Sequence, residues 1–149
     1  MDYYAWAAAR CAAKEYCRAE MVKKLTDKGA TPEQVDEVMR RLVEERYLDE
    51  ERYARAFVND KFRFEHWGRI KMRYALRQKN ISSNTIDDAM EQISDDDYRT
   101  ALSDFIAGRR RTTKGTSAYA VNQKIARAAI TRGFEPSLVF GMLKVEDDF

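Results

Sequence analysis

Residues 21–42 read MVKKLTDKGATPEQVDEVMRRL, and residues 72–93 read MRYALRQKNISSNTIDDAMEQI. At a fixed offset of 51 residues, Met21, Leu25, Lys28, Gly29, Val35, Val38, Met39 and Leu42 face Met72, Leu76, Lys79, Asn80, Ile86, Ala89, Met90 and Ile93. Most of the matched positions are apolar and keep the three- and four-residue steps of a helix stripe. A weaker echo follows about 53 residues on, where Lys124, Ile125, Arg132, Gly133 and Leu143 face Lys71, Met72, Lys79, Asn80 and Met90. A period near 50 residues suits small helical modules that bury their faces against one another. The alternative is a chance match between two helical hairpins.

Punctuation around these stretches is helical. Thr31-Pro32-Glu33-Gln34 supplies a hydroxyl cap, a proline at the first helical position and a glutamine three residues after the cap. Asp49 before Glu50-Glu51 and Ser94 before Asp95-Asp96-Asp97 mark further starts, with acids where the helix dipole favours them. Gly29, Gly108 and Gly133 read as helix stops. The pattern predicts helices over residues 2–14, 17–28, 32–45, 50–65, 69–79, 83–93, 95–107, 117–132 and 136–145, and no strand. The expected fold is all-α, with an N-terminal helix (1–16), repeat one (17–67), repeat two (68–116) and a truncated repeat three (117–149).

Composition agrees. The 149 residues carry 27 basic and 25 acidic side chains, a net charge of +2, with 35% charged and 44% hydrophobic residues. Two prolines and six glycines are too few for a loop-rich β protein. The longest apolar run, Ala5 to Ala9, is far short of the ~20 residues that span a bilayer. The start lacks the pattern of a signal peptide. Cys11 and Cys17 cannot build a disulfide framework and read as small buried or capping residues, so a reduced, cytoplasmic chain is expected; separately, a monomer is expected. His66, the one histidine, fits a helix end, and the Asp95–Asp97 triplet is explained by its place at a helix start rather than by a metal. No Walker, GxGxxG or HExxH sequence is present, so no enzyme, cofactor or metal is expected.

Charge is banded along the chain. Residues 61–80 carry +6, 81–104 carry −6, and 105–134 carry +7 with no acid. Arg69, Arg73 and Arg77 form an i, i+4, i+8 ladder with Lys71 beside it. Gly108 to Gly115 reads as a basic loop holding Arg109, Arg110, Arg111 and Lys114, followed by Lys124, Arg127 and Arg132. If the repeats stack, these cations merge into one surface for a polyanion or an acidic protein groove. The plainer reading is a set of solvated helix faces paired with the acidic bands.

The stretch from Leu42 through Tyr47-Leu48-Asp49-Glu50-Glu51-Arg52-Tyr53-Ala54 to Val58 resembles the hallmark of the RecX family, bacterial regulators of the RecA recombinase. Trp67-Gly68-Arg69-Ile70-Lys71 through Ile81 is similar to that family's next motif, and Tyr16 to Gly29 to its first repeat. Physically, Leu48 would plug a corner, Asp49 cap the next helix, and Tyr53, Ala54 and Phe57 pack it back. The resemblance implies a curved, elongated array of three-helix repeats that binds RecA, free or as a filament on DNA, and mostly inhibits recombination and ATPase activity without catalysis of its own. DNA repair and the SOS response are the implied setting. Three departures stand out: Cys17 where the family has a serine cap, Arg46 where it has a corner glycine, and an early stop in the third repeat. The runner-up reading is direct binding of single- or double-stranded DNA through the same basic face. A third is an adaptor whose charge bands drive self-association.

Overall fold

The computed structural model describes residues 1–147. Among them lie nine helices and no strand: α1 (Tyr3–Ala13), α2 (Arg18–Asp27), α3 (Pro32–Glu44), α4 (Glu50–Arg63), α5 (Arg69–Gln78), α6 (Ser83–Met90), α7 (Asp95–Thr112), α8 (Ala118–Thr131) and α9 (Pro136–Asp147). They form two compact units. One comprises residues 1–57 and 76–89, the other residues 58–75 and those from 90 onward.

The predicted caps are made. The Thr31 hydroxyl accepts from the Gln34 amide at 3.2 Å while the Gln34 side chain accepts from the Thr31 amide at 2.8 Å. Asp49 accepts from the Arg52 amide at 3.0 Å, and Ser94 from the Asp97 amide at 3.0 Å. At Cys17 the start is closed from the other side, because Glu20 accepts the Cys17 amide at 3.0 Å. The Cys17 thiol itself is fully buried, and that burial pushes its pKa up to about 11.

In the first unit the apolar stripes of α1, α2 and α3 meet in one core built from Ala7, Cys11, Met21, Leu25, Val35, Val38, Met39 and Leu42, with Leu48 closing the corner. In the second, α7, α8 and α9 pack on one another around Tyr98, Leu102, Ile106, Ile125, Ala129, Phe134, Val139 and Leu143. Each of these two cores draws on three consecutive helices, α1–α3 and α7–α9. The group that begins at α7 contains three helices, and the last two residues of 117–149 lie outside the described residues.

One corner recurs four times. Gly29, Arg46, Asn80 and Gly133 take positive φ of 106°, 63°, 61° and 99°. After each, the next amide reaches back five residues: Ala30 to Leu25, Tyr47 to Leu42, Ile81 to Leu76 and Phe134 to Ala129, at 2.9–3.2 Å. This is the Schellman closure of a helix end. Arg46 therefore keeps the left-handed geometry that a glycine would hold more cheaply. His66 also sits at a helix end with φ of 57°, as its position suggested.

Gly108 does not stop its helix. α7 runs on through it to Thr112, so Arg109, Arg110 and Arg111 occupy a helical turn rather than a loop. Two forces favour the extension: cations near the C-terminal carbonyls complement the dipole, and nothing apolar follows Gly108 to seal a corner.

Candidate interaction surface

Ten of the eleven predicted cations belong to the second unit; Arg77, exposed on α5, falls in the first. The ten divide by what holds them.

One group surrounds the α7–α8 connection. Arg109 and Arg111 are exposed on the last turn of α7. Arg110 is half-buried and donates to the Oδ1 of the buried Asn122 at 3.0 Å, which ties α7 to α8. Lys124 donates to the Lys114 carbonyl at 2.6 Å and so anchors the connection on α8. Lys114 and Arg127 are exposed, with Arg127 one turn past Lys124. No acid interrupts residues 105–134, and Arg109, Arg111, Lys114, Lys124 and Arg127 are exposed within that stretch.

In the second group, Arg69 and Arg132 are structural. Arg69 lies 3.7 Å from the centroid of the Tyr98 ring and pairs with Glu135 at 3.0 Å and Asp95 at 3.2 Å. The Tyr98 hydroxyl accepts from the Arg69 amide and donates to Glu135. Burial pushes the Tyr98 pKa up, reinforced by Glu135, so the phenol stays protonated. Desolvation works against the Arg69 charge, yet the two carboxylates hold its pKa above the usual value. Arg132 donates to the Glu65 carbonyl at 2.6 Å, and the Lys71 ammonium sits 4.5 Å from the Trp67 ring centroid. Arg73 is half-buried on α5. Of the ladder, Arg69 is thus a pin that joins α5 to the start of α7 and to Glu135.

The second unit also holds a cavity of about 560 Å³ that the sequence did not announce. Phe62, Arg63 and His66 line one side, and Phe105, Gly108, Arg109 and Asp104 the other. The available signal was partial: Phe105 and Arg109 stand four residues apart on one face of α7, whereas His66 lies past the end of α4 with a left-handed backbone that spacing does not reveal. With aromatic walls and cations among its lining residues, the cavity can accept an apolar side chain that carries a negative neighbour. Among the described residues no group of three His, Cys, Asp or Glu is placed to hold a metal, and no helix is long and apolar enough to cross a membrane.

Comparison with known proteins places this chain in a family. A model for the first three-helix domain of RecX matches residues 4–42, and one for the second matches residues 49–90, together more than half of the chain. The first model covers α1–α3, which share the core of the first unit, and the second covers α4–α6. The regulatory protein RecX of Pseudomonas savastanoi pv. phaseolicola is 36% identical over 81 residues, 54% of this chain and 52% of that protein. That of Clostridium perfringens is 29% identical over 119 residues, 77% of this chain and 54% of its own. The chain spans about half the length of these curated relatives. A crystal structure of regulatory protein RecX aligns with a TM-score of 0.83 at 25% identity, covering 96% of this chain and 73% of its own. The RecX structure from Lactobacillus salivarius aligns at 0.86 and 18% identity, covering 99% and 96%. With both domain models matched in order along one all-helical chain, this protein belongs to the RecX family.

Proposed function

We propose that the chain is a non-enzymatic regulator that binds RecA, or its filament on DNA, and mostly restrains recombination and ATP hydrolysis. The match to both RecX domain models carries this reading, since those relatives are named regulatory proteins. The protein would act as a cytoplasmic monomer in DNA repair. The repeat frame that goes with this reading is α1–α3, α4–α6 and α7–α9. The positive end of the second unit supplies the contact: Arg109, Arg111, Lys114 and Arg127 are exposed there and lie in a stretch without acids. The same concentration of charge supports direct DNA binding as a second reading.

Titration into RecA on single-stranded DNA tests the proposal. DNA-dependent ATP hydrolysis should fall at substoichiometric to equal amounts, while the chain alone hydrolyses nothing. Unchanged hydrolysis across a wide titration rejects it. Inhibition that vanishes with excess RecA, yet tracks the occupancy of DNA by the chain alone, supports the second reading instead.

A further inference from the structure

The first unit carries a positive surface that the charge count hides. Residues 1–30 hold six Lys or Arg and four acids, which looks almost balanced. In the fold, every one of those acids is engaged elsewhere. Asp2 caps α1 through the Ala5 amide at 3.0 Å, and Glu15 pairs with Arg52 at 2.7 Å. Glu20 holds the Cys17 amide and Lys79, and Asp27 pairs with Lys23 at 2.8 Å. Among the described residues, Arg10, Lys14, Lys24 and Lys28 are exposed and meet aromatic rings rather than carboxylates, with Arg10 also donating to the Trp6 carbonyl at 3.4 Å.

Two helices present them together. Trp6, Arg10 and Lys14 follow i, i+4, i+8 spacing along α1 and its end, while Lys24 and Lys28 do the same on α2. The Arg10 guanidinium lies 4.0 Å and the Lys28 ammonium 5.5 Å from the Trp6 ring centroid. Lys14 and Lys24 stand 4.7 and 5.6 Å from the centroid of Tyr16. Each ring thus gathers one cation from α1 and one from α2, no more than about 10 Å apart. The rings draw together charges that would otherwise spread apart.

We propose that this patch on α1 and α2 is a sequence-independent binding site for the phosphate backbone of a nucleic acid. Three of the four cations are lysines, compact point charges that meet phosphate oxygens without a fixed two-pronged geometry, as a sequence-independent backbone contact requires. Tyr16 is buried and Trp6 half-buried beneath the cations, so the rings position charge and leave bases unread. A lipid surface fits poorly, because the exposed apolar side chain of α2, Val22, stands two residues from Lys24 and so on the far side of the helix from it. The site is independent of the regulatory reading and of the α7–α8 surface.

The test is binding of labelled oligo-dT, and of a short duplex, to the full chain from about 50 to 200 mM salt. Each phosphate neutralised contributes about −0.7 to the log–log salt slope on a single strand and about −0.9 on duplex. Lys24→Gln with Lys28→Gln should therefore shallow the slope by about 1.4 or 1.8 respectively, and adding Arg10→Gln with Lys14→Gln by about twice that. Circular dichroism and Tm should match the parent. An unchanged slope overturns the proposal, as does a variant that loses stability alone, which would make these cations helix-end counterions. So does a variant that keeps oligonucleotide binding and loses only a polyglutamate ligand, which would make the patch a surface for acidic protein.

Discussion

Gly68→Ala should be among the most damaging single substitutions in the chain, although it adds one methyl group. The Gly68 amide donates to the Arg132 carbonyl at 2.7 Å, and the Ile70 amide to that of Gly133 at 3.0 Å. The chain before α5 thereby crosses the α8–α9 corner backbone to backbone. A Cβ at residue 68 would stand 2.4 Å from the Gly133 carbonyl carbon and from the Phe134 nitrogen. Carbon pairs settle near 3.5–4.0 Å, so the corner must retreat by about 1 Å or more. No flexible side chain can give way, because the atoms met are main chain. Forced repacking costs about 1–3 kcal/mol. The two stretched hydrogen bonds add about 1 kcal/mol each. The expected loss is about 3–5 kcal/mol, a large share of the ~5–15 kcal/mol that holds a domain. Urea unfolding followed by Trp67 emission, in a Trp6→Phe background, reads the second unit selectively. With an m-value of about 2 kcal/mol/M, the midpoint should fall by about 2 M. Gly108→Ala is the opposite control: it lies inside α7 with nothing within 4 Å of its Cβ, and should gain about 1 kcal/mol. If Gly68→Ala unfolds within about 0.5 M of the parent, the close crossing is not what that glycine is for.

Further expectations follow from single residues. Arg46→Gly removes a left-handed penalty of about 1–2 kcal/mol and adds chain entropy of about 0.5–1 kcal/mol to the unfolded state. The Tm should therefore rise by roughly 2 °C, and a fall would mean that the Arg46 side chain is holding the corner. At Glu20, burial alone would raise the pKa, but the Cys17 amide and Lys79 bring it below its usual 4.5. A carboxyl depressed in the fold contributes stability above its unfolded pKa and loses it as pH falls through the folded one. Acid titration of stability should show that loss below about pH 4.5 in the parent and a smaller one in Glu20→Gln, with identical curves counting against the ion pair. Arg109→Glu with Arg111→Glu should impair regulation of RecA while circular dichroism stays helical. Its Tm should slip only slightly, since each reversal at a helix end costs about 0.3–1 kcal/mol. Full inhibition by that folded variant would remove the α7–α8 surface from the contact.

The helix interiors were legible because burial follows a single period. Val35, Val38, Met39 and Leu42 are all buried, as are Met72, Leu76, Ile86, Ala89 and Met90 in the matching stretch. The helix ends were legible only in part, and the reason is specific. Gly29, Gly108 and Gly133 are chemically alike, yet two of them end helices and one does not. What differs is the next residue. Ala30 and Phe134 are buried against the helix they have just left, whereas Gly108 is followed by Arg109, which has no such place to go. Ile81, buried after Asn80, obeys the same rule, whereas Tyr47 after Arg46 is exposed and the corner is sealed one residue later by the buried Leu48, whose amide also reaches the Leu42 carbonyl. The apolar residue after the turn marks the stop better than the glycine does, because it supplies the contact that makes a left-handed residue worth its strain.

The surface was harder to read for a matching reason. A count along the chain finds cations, but it cannot find the groups that engage them. Arg69 meets Glu135 across 66 residues of sequence, and Arg132 meets the Glu65 carbonyl across 67. Both looked like free charge and are fasteners. In residues 1–30 the error runs the other way. The acids that appear to balance the segment go to a cap, to Arg52, to Lys79 and to Lys23, and leave four cations uncompensated on two rings. Band charge thus overstates binding capacity where long-range partners arrive and understates it where local acids are spent on caps and pairs. The distinction is physical, because a committed arginine must break a stacked, doubly paired contact before it can meet a ligand. An ammonium over a ring gives up only a weak contact, worth about 0.5–1 kcal/mol at an exposed site. Binding surfaces on such a charged helical chain should therefore be sought among cations on aromatic faces and exposed helix ends, as at Lys24, Lys28, Arg109 and Arg111.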